Sequence, residues 1–265
     1  MARYKPFLWK TDGSLSQWSA TTMDQLGKAE EFLEEAIFHE PGLLDLESPF
    51  SNIGGPFVGF RQLSFSSPQG RKIIPDIVFL CASGDVVVVE VKRGSNAELK
   101  DRHVIAQVVD YAASFSAMGE SRILSLFSGN HRSWAEFIES IFPDEDDAEE
   151  LADAFLQKFH NGDLHLVIAC DKAPTGIREL IEGVASQSAL GFELSLVEIR
   201  PYVHPNEPDQ ILFIPSTKVA TEIISRTAVT VTYQEGTPKP GVKVEVDSPE
   251  KIEQTKRQRT WRWSS

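Results

Sequence analysis

Two apolar runs with three charged residues in or next to them dominate the hydrophobic pattern of the chain. The first run, residues 77–80, directly follows Asp76, and the second, residues 86–91, contains Glu90 and is followed by Lys92. A run so rich in β-branched residues predicts a strand that is buried on both faces and central in its sheet. The pattern therefore predicts two central strands that carry these charges near one end.

The connection between the two runs determines which residues face each other. Ala82-Ser83-Gly84 suits a three-residue hairpin loop, in which glycine takes the left-handed last position without steric cost. This loop places Asp76 opposite Glu90, whereas a two-residue loop would place it opposite Val91, on the other face. Because side chains alternate along a strand, Glu90 and Lys92 share a face. We expect the three-residue loop, which brings the three charges together.

The predicted charge cluster points to a chemical task. Burying unpaired ions costs several kcal/mol each, and a divalent cation would neutralise the two carboxylates. Mg²⁺ prefers oxygen ligands and is commonly held by one or two carboxylates together with substrate phosphates. Lys92, beside such an ion, would orient or deprotonate an attacking water. In outline, the cluster is typical of a site that hydrolyses phosphodiester bonds.

The spacing of these residues also resembles a known family. Pro75-Asp76, thirteen intervening residues and Glu90-Val91-Lys92 resemble the motif of the PD-(D/E)xK nuclease superfamily, which has the restriction-endonuclease-like fold. Residues 107–111, with Gln107 and Tyr111 at the ends, resemble the QxxxY element of RecB-type members. Residues 30–34 resemble the acidic first helix of that fold. The resemblance covers roughly residues 20 to 200.

The resemblance implies an α/β fold with a mixed central β-sheet flanked by helices and an αβββαβ core. It implies a DNA endonuclease that depends on Mg²⁺, for which Mn²⁺ could substitute, with RNA as the open alternative and a role in repair, restriction or phage defence. Asp76, Glu90 and the backbone carbonyl of Val91 would hold the metal, and Lys92 would act on the water. Gln107 would bind metal-bound water or a phosphate oxygen.

The upstream helix offers two candidates for a further site carboxylate. A capping box at Thr22 predicts a helix that runs to about His39. On its helical wheel, Glu30 lies nearest the apolar stripe and Glu34 lies one step further out. Glu30 is therefore the first choice and Glu34 the second. An acidic, solvated helix face explains the two residues about as well.

The helix after the second run carries Gln107 and Tyr111 one turn apart, next to an apolar row. It is expected to be capped by Ser95 or Asn96 and to run to about Met118. A surface amide and a core tyrosine are the alternative interpretations. The candidate nucleic-acid contacts are Arg61, Arg71, Lys72, Arg93 and Tyr111; charges that keep strand edges from associating would explain the basic ones equally well.

The rest of the chain is predicted from its apolar periodicity. Strands are expected at 57–66, 122–127, 165–170, 192–199, 211–214 and 229–233, and helices at 133–142, 149–159 and 176–185. Residues 165–199 would add a strand–helix–strand unit to the sheet through a right-handed crossover. The resulting domain prediction is a nuclease-like domain at 1–200, with its core at 20–128 and an extension at 163–200.

Residues 201–265 are predicted to form a C-terminal extension. It contains a linker at 238–249 and a basic, aromatic tail at 256–263. Basic and aromatic residues suit single-stranded nucleic acid, through phosphate neutralisation and base stacking. A disordered end explains the tail at least as well.

Composition narrows the classes of function. The 265 residues carry a net charge of −13, which argues against a general nucleic-acid-coating protein. Residues 61–103, however, contain seven Lys or Arg against five Asp or Glu, so the face of the predicted site is locally basic. A double-strand cutter commonly needs two sites, which a homodimer would supply.

Location follows from the same composition. Neither a run long enough to span a membrane nor a signal-peptide core is visible, so we expect a cytoplasmic protein without a membrane partner. Cys81 and Cys170 each end an apolar run and are expected to be buried free thiols.

Overall fold

The computed structural model describes residues 6–46, 53–67, 69–100, 103–128, 131–145, 147–185, 191–220, 227–232 and 241–246. The chain divides into two compact units, Met1–Thr221 and Glu222–Ser265. The domain boundary expected at residue 200 falls inside a strand of the first unit.

The first unit contains both helices and strands, with five described helices in succession between Lys92 and His165. The helices in its described part are α1 (Glu30–His39), α2 (Ala97–Lys100), α3 (His103–Ser116), α4 (Glu120–Phe127), α5 (Trp134–Ile141), α6 (Ala148–Asn161) and α7 (Thr175–Ala185), with a 3₁₀ turn at Pro41–Leu44. The strands are β1 (Phe7–Trp9), β2 (Leu15–Gln17), β3 (Ser19–Ala20), β4 (Phe57–Arg61), β5 (Phe65–Ser66), β6 (Lys72–Ile73), β7 (Ile77–Cys81), β8 (Val86–Lys92), β9 (His165–Cys170), β10 (Glu193–His204) and β11 (Glu207–Ala220).

One mixed sheet organises this unit. Its strand order among the described residues is β11-β10-β9-β8-β7-β4, and β3 pairs with β10. β4, β7 and β8 are antiparallel neighbours, as the predicted meander requires, whereas β8, β9 and β10 run parallel. The predicted strand–helix–strand extension through α7 is confirmed, and residues 211–214 lie in the edge strand β11.

Helices cover both faces of this sheet. One face packs on α3, α5 and α6, whose largest fully buried side chains are Phe115, Trp134, Phe155 and Phe159. The other face packs on α1 through Leu33 and Ile37. The α/β class with a mixed central sheet flanked by helices is therefore confirmed.

The central hairpin has the predicted register. Ile77 pairs with Val89 and Leu80 with Val86, and Gly84 adopts the left-handed conformation with φ +82°. Continuing this register by one residue places Asp76 opposite Glu90. All seven residues of β8 are buried, because both faces of the strand are covered. The thiols of Cys81 and Cys170 are free and buried, as expected.

Residues 20–30 differ from the prediction. The hydroxyl of Thr22 accepts the backbone N–H of Gln25 at 3.3 Å, so the predicted cap exists. It opens only a turn, because Gly27 has φ +65° and leaves the helical conformation. α1 begins at Glu30, so the helix is shorter at its start than the capping box suggested.

Two of the predicted strands are wrong in extent or type. The strand expected at 57–66 ends at Arg61, because Gln62 has φ +53° and the chain turns into the separate β5–β6 hairpin. Residues 122–127 belong to helix α4, in which Ile123 and Phe127 are buried one turn apart. A short apolar run fits either element, and here the spacing of the buried side chains is helical.

The second unit was also predicted only in part. Its described strands β12 (Thr227–Thr232) and β13 (Gly241–Val246) pair antiparallel with each other. The strand expected near 229–233 is confirmed, but the linker expected at 238–249 is wrong where β13 lies. The basic tail at 256–263 lies outside the described residues.

A half-buried ion network joins three strand starts at the N-terminal edge of the parallel strands. His165 approaches Asp85 at 3.5 Å through Nε2 and Glu193 at 2.7 Å through Nδ1. Lys158 of α6 donates to Asp85 at 3.0 Å. Burial acts to lower the pKa of His165, but the two carboxylates outweigh it and raise that pKa to about 9.

This network predicts a pH-dependent stability. Because the pKa of His165 is higher in the folded state than the ordinary value of 6.5, its contribution is complete below about pH 6.5 and is lost as pH rises through about 9. We expect the free energy of unfolding of the wild type to fall by about 2 kcal/mol over this window. Urea unfolding of His165→Gln should show a flatter dependence. His39→Gln, at an exposed histidine, is the control that should retain the wild-type slope.

Candidate functional site

The structure brings Asp76, Glu90 and Lys92 together at one end of the β7–β8 hairpin. Nζ of Lys92 donates to Oε1 of Glu90 at 2.5 Å, and both side chains are buried. Oδ2 of Asp76 accepts the backbone N–H of Val91 at 2.7 Å. β7 begins one residue after Asp76, so the carboxylate takes the place of a strand partner for Val91.

Tyr111 completes the surroundings of Glu90. Its hydroxyl donates to Oε2 of Glu90 at 2.5 Å, and its ring, on α3, is buried in the core. Each carboxylate oxygen of Glu90 therefore has a partner. Only 4% of Tyr111 is exposed, so little of its ring is open to a nucleic acid, and its hydroxyl positions Glu90.

The site holds more negative charge than its lysine balances. Burial, followed by the charge of Glu90, raises the pKa of Asp76 to about 7, against the N–H of Val91 and the charge of Lys92. Burial also raises the pKa of Glu90, although Lys92 opposes it. For Lys92, burial acts to lower the pKa, but Glu90 outweighs it and raises the pKa above its usual range. An additional cation at this site would stabilise the ionised forms of both carboxyl groups.

The two helix carboxylates lie on different sides of the cluster. Glu34 accepts Nε of Arg61 at 2.8 Å and its charge acts on Asp76. Glu30 accepts the backbone N–H of Arg93 at 2.8 Å and its charge acts on Lys92. The expected order of burial is wrong, because Glu34 is buried in mid-helix while Glu30, the first residue of α1, is partly exposed.

Gln107 has an unused acceptor. Its Oε1 is buried and has no hydrogen-bond partner among the described residues. Gln107 lies one turn before Tyr111 on α3, and such residues are neighbours on a helix surface. Since α3 follows β8 in the chain and returns along it, this turn lies toward the Lys92 end of the strand.

The remaining predicted contacts are exposed or paired with acids. Arg61 binds Glu35 as well as Glu34, and Arg71 donates to Asp110 at 2.8 Å. Lys72 is exposed on β6, and Arg93 donates to Asp24 at 2.9 Å. The basic residues therefore lie around the site, but the three arginines also form ion pairs that connect neighbouring segments of the fold.

Asp171, a buried carboxylate directly after β9, is not among the site residues predicted from the sequence. Its Oδ1 accepts the backbone N–H of Gly94 and its Oδ2 that of Met23, both at 2.7 Å. It thereby ties the loop after Lys92 to the turn before α1. The available signal was an acidic residue directly after a buried apolar run, at the carboxyl end of a strand parallel to β8.

Comparisons with known proteins give no relative for this arrangement. No protein-family model, curated protein or solved structure matches the chain. Across the residues that the structure describes, no cluster of three or more His, Cys, Asp or Glu is arranged to hold a metal ion. Within the same residues, no helix has both the length and the apolar character needed to span a membrane.

Proposed function

We propose that this protein is a metal-dependent nuclease that hydrolyses phosphodiester bonds in nucleic acid, with DNA as the expected substrate. The observation that carries the proposal is the convergence of Asp76, Glu90 and Lys92 at the open end of a buried hairpin. Two carboxylates and an ammonium in such a position are costly to bury. Apolar side chains there would stabilise the fold at least as well, so stability alone does not explain the charges.

The order of the elements around the site supports the same proposal. The succession α1, β4, β7, β8, α3 and β9 has a helix, three antiparallel strands, a second helix and a strand parallel to β8. This order resembles the αβββαβ order implied for the restriction-endonuclease-like core, with the β5–β6 hairpin and helices α2, α4, α5 and α6 as additional elements. Fold likeness alone does not give function, so the proposal rests on the site.

The residues present suit a hard divalent cation such as Mg²⁺ or Mn²⁺. Asp76 and Glu90 would hold it through carboxylate oxygens, which such ions prefer. The carbonyl of Val91 is a third candidate, because the N–H and C=O of one strand residue point to the same side and its N–H reaches Asp76. When bound, such an ion activates water and stabilises negative charge on phosphate. The unpartnered Oε1 of Gln107 would accept a hydrogen bond from a water at this site.

The side chains of the protein have distinct roles in this proposal. Tyr111 fixes the orientation of Glu90, so that the carboxylate does not rotate when its contact with Lys92 changes. Lys92 supplies positive charge next to the phosphate and a donor that can move from Glu90 to an incoming oxygen. Glu34, held by Arg61, and Glu30, held at the Arg93 loop, border the site on the α1 side.

One observation favours a second candidate function. Both oxygens of Glu90 already have partners, Lys92 and Tyr111, so these charges could serve only as a structural ion network. The protein would then be a catalytically silent nucleic-acid-binding or protein-interaction module. Binding of a divalent cation separates the two candidates, because a satisfied ion network needs none.

The direct test is a cleavage assay with single-stranded, double-stranded and branched DNA and with RNA. We expect cleavage of at least one DNA substrate with Mg²⁺ or Mn²⁺ and none with EDTA. Lys92→Ala should lose it, whereas Lys28→Ala, at an exposed lysine on the turn before α1, should keep it. Equal cleavage with EDTA, or full activity of Lys92→Ala, would contradict the proposal.

A further inference from the structure

An open pocket of about 460 Å³ lies where the parallel strands β8 and β9 end. Its walls come from three segments: the turn before α1, the loop after β8 and the loop after β9. The lining residues used below are Thr22, Gln25, Gly94, Ser95, Asp171 and Lys172. The carboxyl ends of parallel strands are where α/β folds commonly bind ligands.

Asp171 gives this pocket a fixed shape. It is 1% exposed, and its two oxygens accept the N–H groups of Gly94 and Met23, which belong to opposite walls. Gly94 lies so close to the third segment that a Cβ there would be 2.4 Å from the carbonyl oxygen of Lys172. The three walls are thus locked to one another by buried contacts.

The charges of the pocket leave one cation without a partner. Asp24, which also lines it, is paired with Arg93 at 2.9 Å, and both oxygens of Asp171 bind backbone N–H groups. Lys172 is exposed and makes no ion pair with any residue in the described part of the chain. The pocket therefore presents an ammonium and hydroxyl groups to a ligand, while its two carboxylates are already bound.

The pocket also adjoins the candidate active site. Gly94 follows Lys92 by two residues, so their Cα atoms are at most about 7 Å apart. A strand of nucleic acid placed with one phosphate at Lys92 would pass this opening with a neighbouring phosphate. Lysine binds phosphate as a point charge and does not require a fixed geometry.

We propose that this pocket binds a phosphate of the substrate strand next to the one that is cleaved, with Lys172 as its charged contact and Ser95 as a hydroxyl donor. The inference rests on the proposed nuclease function and extends it to how the strand is held. Asp171 acts as a positioning residue that keeps the pocket walls in place. It contacts neither the reacting atoms nor the phosphate.

The test measures equilibrium binding of a fluorescent DNA oligonucleotide to the full chain in EDTA, where metal-dependent cleavage is blocked. We expect Lys172→Glu to weaken binding by about tenfold and to reduce the dependence of log K on log salt by about one unit. Arg132→Glu is the matched control, because Arg132 is exposed before α5 and outside the pocket, and it should bind like the wild type. In cleavage, Lys172→Glu should raise KM and leave kcat within about twofold.

The possible results separate this inference from the nuclease proposal. If the wild type cleaves DNA and Lys172→Glu binds DNA as tightly as the wild type, the phosphate-binding role of the pocket is overturned, whereas the nuclease proposal is not. Absence of both DNA binding and cleavage in the wild type would overturn the nuclease and the pocket together. Competition by inorganic phosphate tests the source of the ligand. Weak competition supports a phosphate of the DNA strand. Tight binding of inorganic phosphate that Lys172→Glu abolishes, with DNA binding unchanged, would overturn the inference.

Discussion

Replacing Lys92 with methionine is expected to lower the free energy of unfolding by about 3 kcal/mol, because it leaves Glu90 buried without its charged partner. Glu90 is 2% exposed and is held by Lys92 at 2.5 Å, so water cannot replace the ammonium without opening the site. The measurement is urea unfolding of the metal-free protein at neutral pH.

A double variant separates lost charge pairing from lost packing. Adding Glu90→Gln to Lys92→Met removes the uncompensated charge, and the introduced amide can still accept from Tyr111, so most of the stability should return. Lys10→Met is the control, since Lys10 and Glu207 form an exposed pair at 3.6 Å and its loss should cost under about 1 kcal/mol. A double variant no more stable than Lys92→Met would show that this account of the ion pair is wrong.

Asp76→Asn is expected to have opposite effects on activity and stability. It should reduce metal-dependent cleavage at least about 100-fold, because it removes one of the two carboxylates that would hold the ion. In EDTA at about pH 8 it should raise the free energy of unfolding by about 2 kcal/mol, since it removes a charge that the folded protein disfavours. Stability lost together with activity would indicate a structural role for Asp76.

The pH dependence of this gain has a definite sign. The pKa of Asp76 is raised from 3.8 to about 7, so its ionised form destabilises the fold. The penalty is absent below about pH 4, grows as pH rises, and is complete above about pH 7. Asp76→Asn should therefore match the wild type near pH 4 and exceed it at pH 8. Asp110→Asn, at an exposed carboxylate paired with Arg71, should show no such divergence.

Local rules predicted the central hairpin well. The register followed from one glycine, because Gly84 allows the left-handed loop position that pairs Ile77 with Val89. Alternation along the strand then placed Glu90 and Lys92 on one face. Both inferences depend on neighbouring residues in the chain, which is why they could be made without the structure.

Short or interrupted patterns were less informative. Residues 122–127 have too few apolar positions to distinguish a strand from a helix, and only packing of Ile123 and Phe127 into the core decides for α4. The strand from Phe57 ends at Arg61, because the next residue, Gln62, has a positive φ that no propensity rule predicts for glutamine.

The site was predicted where it depends on the hairpin and missed where distant segments meet. Asp171 lies 77 residues after Gly94 and 148 after Met23, so no sequence spacing connects these hydrogen bonds. The hydrogen bond from Tyr111 to Glu90 likewise depends on how α3 packs on β8. Burial along α1 differed from its helical wheel because Arg61 of β4 covers Glu34 in mid-helix.

The most direct test of the central claim is calorimetric titration of Mg²⁺ and Mn²⁺ into the full chain, bound to a nuclease-resistant phosphorothioate oligonucleotide. The account predicts saturable binding by the wild type and by Asp110→Asn, and at least about tenfold weaker binding by Asp76→Asn. Absence of binding in the wild type, or equal binding by Asp76→Asn, would contradict a metal site at Asp76 and Glu90 and favour the structural ion network.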